Sequence, residues 1–508
     1  MDFWLMTTSM NTNAILILLA FMTSFTSYSQ LGIFTGTDDI GNVKHEGRAI
    51  FDARFGKYTL SGSGSNVWGA SDEFRFAYQK IKGNFIINAE THLLGRGTEG
   101  HRKGGLMVRT DLSNDSQMAT AVTHGDLTTG FQYRPGKGSE VVSNMSEILQ
   151  ADILQLERHG NTFTVKMARH GDTLTVVSIA EIEMPEEVYL GLFVCAHSPE
   201  QLEDATFRNV RIYRPAPDGY TPYRDYIGSH IEIMDVFTEQ RDILYSEKGS
   251  LQAPNWTPDN KSLIYNADGL IYKLDFGDSK PIVVNTDFVN RNNNDHVISW
   301  GGKMLGLSSS SGEQEYGSLI YTVPFEGGIP KRITPVGPSY FHGWSIDNKW
   351  LTYTARRNGQ WDIYKTKSDG SRTEVQLTNE TSLDDGSEFS PDGKYIYFNS
   401  TRTGQMQLWR METDGSNPIQ LTFEENMNSW FAHPSPDNKW IVFISYGDDI
   451  EPTNHPFYKH VTLRIMPTDL SAVPRVIAYM YGGQGTINTP SWSPDSKKIA
   501  FVCNTIID

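Results

Sequence analysis

One short phrase recurs through the second half of the chain. It is clearest as FSPDGK at 389–394, with variants WTPDNK at 256–261, ISWGGK at 298–303, WSIDNK at 344–349, PSPDNK at 434–439 and WSPDSK at 492–497. The closing lysines fall at 261, 303, 349, 394, 439 and 497, giving steps of 42, 46, 45, 45 and 58 residues. Each phrase has an extended apolar entry, a Ser/Pro/Asp/Gly turn and then a strand such as YIYFNS, WIVFIS or KIAFVC. These entry and exit strands are A and B of a unit. Strand C follows as IYKLD, IYTVP, IYKTK, LWRME and LRIMP, and an LT-ended strand D completes it. Four strands in about 45 residues is the spacing of a β-propeller blade.

The count of strand pairs predicts how the ring closes. The chain ends after a sixth A–B pair, while an orphan C–D pair, IEIMD and RDILYS, stands at 231–246. The two segments are expected to complete one blade together, which removes exposed sheet edges. A solenoid or two sandwiches would leave the orphan pair unexplained.

The 508 residues are enough for two or three domains, and a formal charge of −16 argues against nucleic acid or an anionic membrane surface as a general partner. An apolar run at 14–25, followed by small residues, reads as a secretory signal at 1–29 cleaved before Gln30. The alternative is a hydrophobic N-terminal anchor, since the leader has no Lys or Arg. No later stretch is long and apolar enough to span a bilayer. The expected location is periplasmic or secreted. Two cysteines, Cys195 and Cys503, exclude a disulfide framework and leave either two buried thiols or one inter-domain bridge.

From residue 30 to about 214 the pattern alternates as strands do, in EFRFAYQKI, NFIINAET, FTVKMAR and VYLGLFVCA, and no long helix interrupts it. This predicts an all-β chain: a two-sheet sandwich over 30–214, a Pro-rich linker over 215–229 and a six-bladed propeller over 230–508. SGSGSNVWG at 61–69 is a tight strand connection, because no helix follows to make it a phosphate loop. Together with DEFRFAY, KGGLMVR and FQYR, it resembles the concanavalin A-like jelly rolls of secreted bacterial proteins. That resemblance implies glycan binding, with Trp68, Phe131 and Tyr133 either stacking on sugar rings or packing in the core.

In a propeller the B–C and D–A loops gather at one mouth. Numbered from the turn, His296 and His342 occupy position −5 of adjacent blades, and Glu388 and His433 occupy position −4 of the next two. Arg357 and Arg402 stand in matching B–C loops, each two residues before a glycine. Asp295, Asp384, Asp385 and Gln484 belong to the same rim, as does the expanded B–C loop GDDIEPTNHPFYKH at 447–460. Three imidazoles and a carboxylate can hold a divalent metal. The same groups can bind sugar hydroxyls without one, or can serve only to pin the loops. The arginines suit the anions of an acidic glycan, or can be solvated turn residues.

The repeat WSPDGK…I(Y/W)…DG…LT, with NNDHVIS, FHGWSIDNK and WFAHPSPDNKWIVFIS, resembles the TolB-type propellers, in a Bacteroidota branch encoded beside polysaccharide-degrading enzymes. That resemblance implies an exported accessory protein of polysaccharide degradation that binds a glycan or its oligosaccharides. It also admits a protein-binding scaffold with an envelope partner, as in TolB itself. Oligogalacturonate lyases are similar in repeat type and hold a metal with three histidines and a glutamine. By that resemblance His296, His342, His433 and Gln484 would be ligands of a metal-assisted lyase or hydrolase, although those lyases have an additional blade.

Overall fold

The computed structural model describes residues 31–95, 99–221, 224–312 and 317–508; the stretch 1–29, expected from sequence to be a secretory signal, lies outside them. Among the described residues two seven-stranded antiparallel sheets form a sandwich, and six small sheets form the propeller. The first sandwich sheet runs Gly36–Ile40, Phe74–Lys82, Glu187–Cys195, Lys103–Arg109, Met118–His124, Thr129–Arg134 and Val142–Met145. The second runs Thr175–Glu181, Thr162–Ala168, Ile153–His159, Phe85–Leu93, Ser198–Tyr213, Lys57–Gly64 and Arg48–Asp52. Alternate residues of the two inner faces, including Phe85, Ile87, Leu106, Val108, Leu154 and Leu156, make the core. A hairpin at 67–72 covers the outer face of the first sheet. It is anchored where buried Asp72 receives both terminal nitrogens of Arg134 at 2.6 and 2.7 Å.

Blades 1 to 5 occupy 252–283, 292–332, 339–376, 384–420 and 427–482, each a four-stranded antiparallel sheet. Blade 6 closes the ring from both ends: Ser229–Asp235 pairs on one side with Arg241–Glu247 and on the other with Lys498–Asn504, from Ser229↔Asn504 to Asp235↔Lys498. Trp492, bridged to Ile499, begins its innermost strand.

The recurring phrase is a self-contained turn. In blade 4, Ser390 Oγ donates to Asp392 Oδ1 (2.6 Å), Asp392 Oδ1 accepts from Lys394 N (3.1 Å), and Ser390 Oγ accepts from Tyr395 N (2.9 Å). The residue after the aspartate is left-handed in five blades, as Asn260, Asn348, Gly393, Asn438 and Ser496, with φ from 57° to 71°. This is why Asn or Gly recurs there. In blades 3 and 6 the tryptophan three residues before the aspartate locks onto the neighbouring blade. Trp344 donates its indole N–H to Val297 O, and Trp492 donates to His433 O, both at 2.9 Å.

The second sandwich sheet packs on blades 5 and 6. Ile153 and Ala168 meet Val476 and Tyr479, and Val476 N donates to Gly171 O at 2.8 Å. The linker is pinned as well: Ile227 N donates to Tyr458 Oη, and Ala216 N to Tyr481 Oη. Sandwich and propeller form one compact unit. Cys195 and Cys503 are both buried free thiols, one in each half.

Candidate functional site

A cavity of about 560 Å³ opens at the mouth where the B–C and D–A loops gather. Its geometry comes from a bulge in the innermost strand of blades 1 to 5. In blade 2 the ladder breaks between Asn292 and His296, so Asn293, Asn294 and Asp295 leave the pairing. In blade 3 the unpaired residue is His342, between Phe341 and Gly343. In blades 4 and 5 the breaks lie after Asp385 and after Trp430. At the equivalent position blades 1, 4 and 5 turn left-handed, at Ala253 (φ 51°), Gly386 (φ 63°) and Phe431 (φ 58°). A Cβ on Gly386 would approach Asn399 Oδ1 to 2.4 Å, so glycine is required there. Phe431 has no such freedom. A buried aromatic residue held at positive φ costs on the order of 1–3 kcal/mol. Its ring lines the cavity and lies against His342, with centroids 6.0 Å apart.

Asp385 sits between two imidazoles, with Oδ1 3.3 Å from His342 Nε2 and Oδ2 3.9 Å from His455 Nε2. His455 comes from the expanded loop 447–460 and packs edge-on against Trp430 at 4.4 Å. Burial would raise the Asp385 carboxyl, but the hydrogen bond and charge of His342, with His455 beyond, bring it down to about 2. Burial would likewise depress His342; the Asp385 hydrogen bond and the charges of Asp295, Asp385 and Glu388 outweigh it and raise the imidazole. Asp295 behaves oppositely: burial, with Asp385 adding to it, pushes its carboxyl up to about 6 against the pull of His342. Its oxygens are held by amides, Oδ2 by Asn293 Nδ2 at 2.9 Å. With its amide turned to satisfy its neighbours, Asn294 donates to Asp295 Oδ1 (3.3 Å) and accepts from Gln484 Nε2 (2.8 Å). Asn488 Nδ2 in turn donates to Gln484 Oε1 at 2.9 Å. An amide chain therefore joins blade 2 to the loop entering blade 6. Tyr340 and Trp361, with centroids 5.8 Å apart, and Tyr226 from the linker supply the aromatic wall.

Of the residues singled out in the sequence, Asp295, His342, Asp385 and Gln484 line this cavity together. The others do not join them. His296, paired opposite Leu307, is fully buried, and burial lowers it to about 4 against the opposing pull of the backbone at Ile264, Ala253 and Asn293. Glu388 and His433 form a closed pair, Oε2 to Nδ1 at 2.6 Å, with His433 Nε2 2.6 Å from Ile487 O. Burial raises Glu388 against the opposing pull of His433. Glu388 faces a second cleft of about 280 Å³ at the opposite end, among Pro258, Pro436 and Pro494 of the turns. Position −4 residues Asn255, Val297, Gly343 and Glu388 all line that lower cleft, whereas His342 at −5 faces the upper one. Strand alternation separates His342 from Glu388. Among the described residues no three His, Cys, Asp or Glu side chains converge as a metal-holding group.

The arginines are committed to their own blades. Arg357 Nη2 pairs with Glu374 Oε1 at 2.5 Å and also binds the Val336 carbonyl. Arg402 Nη2 takes both oxygens of fully buried Asp384 at 3.0 and 3.1 Å, and its guanidinium lies 4.8 Å from the Trp409 centroid. On the sandwich Phe131 is core, Tyr133 is half-buried against it, and Trp68 is exposed with Lys103 Nζ 5.8 Å from its ring. Sequence reasoning missed His455, Tyr340, Trp361 and the Asn292–Asn294 run. The long loop and the NRNNND stretch were the available signals.

Residues 343–455 match the model of the TolB beta propeller domain family. An uncharacterized protein of Agrobacterium fabrum, Atu1656, is 42% identical over 276 residues, which is 54% of this chain and 92% of that protein. A solved structure from Agrobacterium tumefaciens, provisionally named TolB, is 39% identical with a TM-score of 0.53, covering 56% of this chain and 100% of that one. TolB from Acinetobacter baumannii is more distant, at 19% identity and a TM-score of 0.36, over 49% of this chain and 56% of its own. The chain belongs to the TolB-like β-propeller family and carries, ahead of the six blades, a two-sheet sandwich.

Proposed function

We propose that the protein is an exported accessory of polysaccharide degradation, acting in the periplasm or outside the cell, and that its funnel binds a neutral oligosaccharide. One observation carries this reading. The described lining combines amides (Gln252, Asn266, Asn293, Gln484), three aspartates, two histidines and the rings of Tyr340, Trp361 and Phe431, and it contains no lysine or arginine. Amides and carboxylates hydrogen-bond hydroxyls in both senses, and flat rings cover the apolar faces of sugars. An anionic glycan would meet three carboxylates there, with Arg357 and Arg402 already paired elsewhere. The sandwich, read as a concanavalin A-like module, contributes exposed Trp68 as a separate contact.

Calorimetric titration against matched neutral and acidic oligosaccharides tests the reading. Neutral chains should bind, and Trp361→Ala should weaken them by about tenfold, the equivalent of about 1.4 kcal/mol. Preference for acidic chains would sink the neutral-glycan reading. Binding of neither class favours a protein-binding scaffold with an envelope partner.

A further inference from the structure

We propose that the funnel is also a hydrolytic site, in which Asp295 takes a proton from water and His342, held by Asp385, gives one to the departing sugar oxygen. The inference rests on the reading of the funnel as a glycan site and adds a reaction to it.

The geometry assigns the roles. Asp385 engages Nε2 of His342, and the ring is stacked on Phe431, so Nδ1 is the nitrogen left for a ligand. Asp295 stands on the next blade with its oxygens set by Asn293 and Asn294, near enough that its charge and that of His342 act on one another. Asp295, Asp385 and Glu388 face His342 as carboxylates, and His455 faces it as an imidazole; His342, Asp385 and Tyr340 face Asp295. Burial makes Asp295 an unusually basic carboxylate, while its neighbours hold His342 toward the imidazolium. Near neutral pH one group is therefore ready to accept a proton and the other to donate one.

In the step itself an O–H bond of water breaks and its proton passes to Asp295. The water oxygen bonds to the anomeric carbon as the glycosidic C–O bond breaks, and the leaving oxygen takes the proton from His342 Nδ1. Asp295 then returns its proton to His342 through solvent. Glycoside and water give two sugars, and no oxidant, reductant or further reactant enters.

The test measures release of reducing ends from neutral oligosaccharides by the intact protein over about pH 5 to 8, with binding titrated in parallel. Release is expected to rise and then fall with pH. Asp295→Asn and His342→Gln should each slow turnover of saturating oligosaccharide by at least about 100-fold, well beyond the roughly tenfold loss of affinity that removing a lining contact brings. Asp385→Asn, a positioning change, should shift the alkaline limb to lower pH, because the charge that raises His342 is gone. Binding without release, or release that both variants leave intact, overturns the hydrolytic role and leaves the binding reading standing. Failure to bind any neutral oligosaccharide removes both.

Discussion

Arg211, on the last strand of the sandwich, donates to Glu232, on the first strand of the propeller, at 2.9 Å, and the Glu232 carboxylate is wholly buried. Arg241 meets the same carboxylate at 3.0 Å and also donates to Tyr213 Oη at 3.1 Å. Burial would raise the Glu232 carboxyl, but the two guanidinium groups hold it far below the usual range.

Removing that carboxylate strands two guanidinium groups, one of them fully buried, so Glu232→Ala should destabilise the protein by about 3–5 kcal/mol. Denaturant titration measures this. A loss below about 1 kcal/mol would place the network among those that contribute little.

Closure of the ring by seven paired residues predicts that removal of 498–508 prevents cooperative folding of the propeller, since Ser229–Asp235 then loses a neighbour along its whole length. Thermal unfolding followed by fluorescence of the blade tryptophans checks this. An unchanged sharp transition would contradict it.

Asp295 imposes a pH dependence of a stated sign. Its folded carboxyl titrates at about 6, above its unfolded value, so the native state binds the extra proton between about pH 4 and 6 and stability is lost as pH rises through that window. Asp385, brought down to about 2, has the opposite sign: its contribution is present above about pH 4 and is lost in acid. Asp295→Asn should therefore stabilise the protein by on the order of 2 kcal/mol at neutral pH and leave it unchanged near pH 4. Thermal midpoints of both proteins across pH decide the matter.

His296 and His342 should separate on mutation although they share a repeat position. His296→Leu replaces a fully buried imidazole engaged only by backbone groups, and should change stability by no more than about 1 kcal/mol without affecting the funnel. His342→Ala should lower oligosaccharide affinity at least about tenfold. Parallel titrations distinguish them, and equal losses would return both residues to one site.

The sequence by itself determined the blades, their number and the closing pair. Turn aspartates, left-handed asparagines and alternating strands are local devices that work within a few residues of themselves, so a 45-residue period exposes them directly. The sequence also placed Asp295, His342, Asp385 and Gln484 on one rim, because that follows from blade register alone. Only the tertiary structure decided which of the remaining candidates meet. Alternation past the bulge sends Glu388 to the lower cleft, where it pairs with His433, while a different bulge in blade 2 leaves His296 paired in the ladder. Arg402 is taken by Asp384 from the strand beside it, and loop 447–460 folds inward far enough to bring His455 to Asp385. Repeat position sets the strand on which a side chain stands; the bulge, the facing strand and loop closure set what it touches, and those are contacts between residues far apart in the chain.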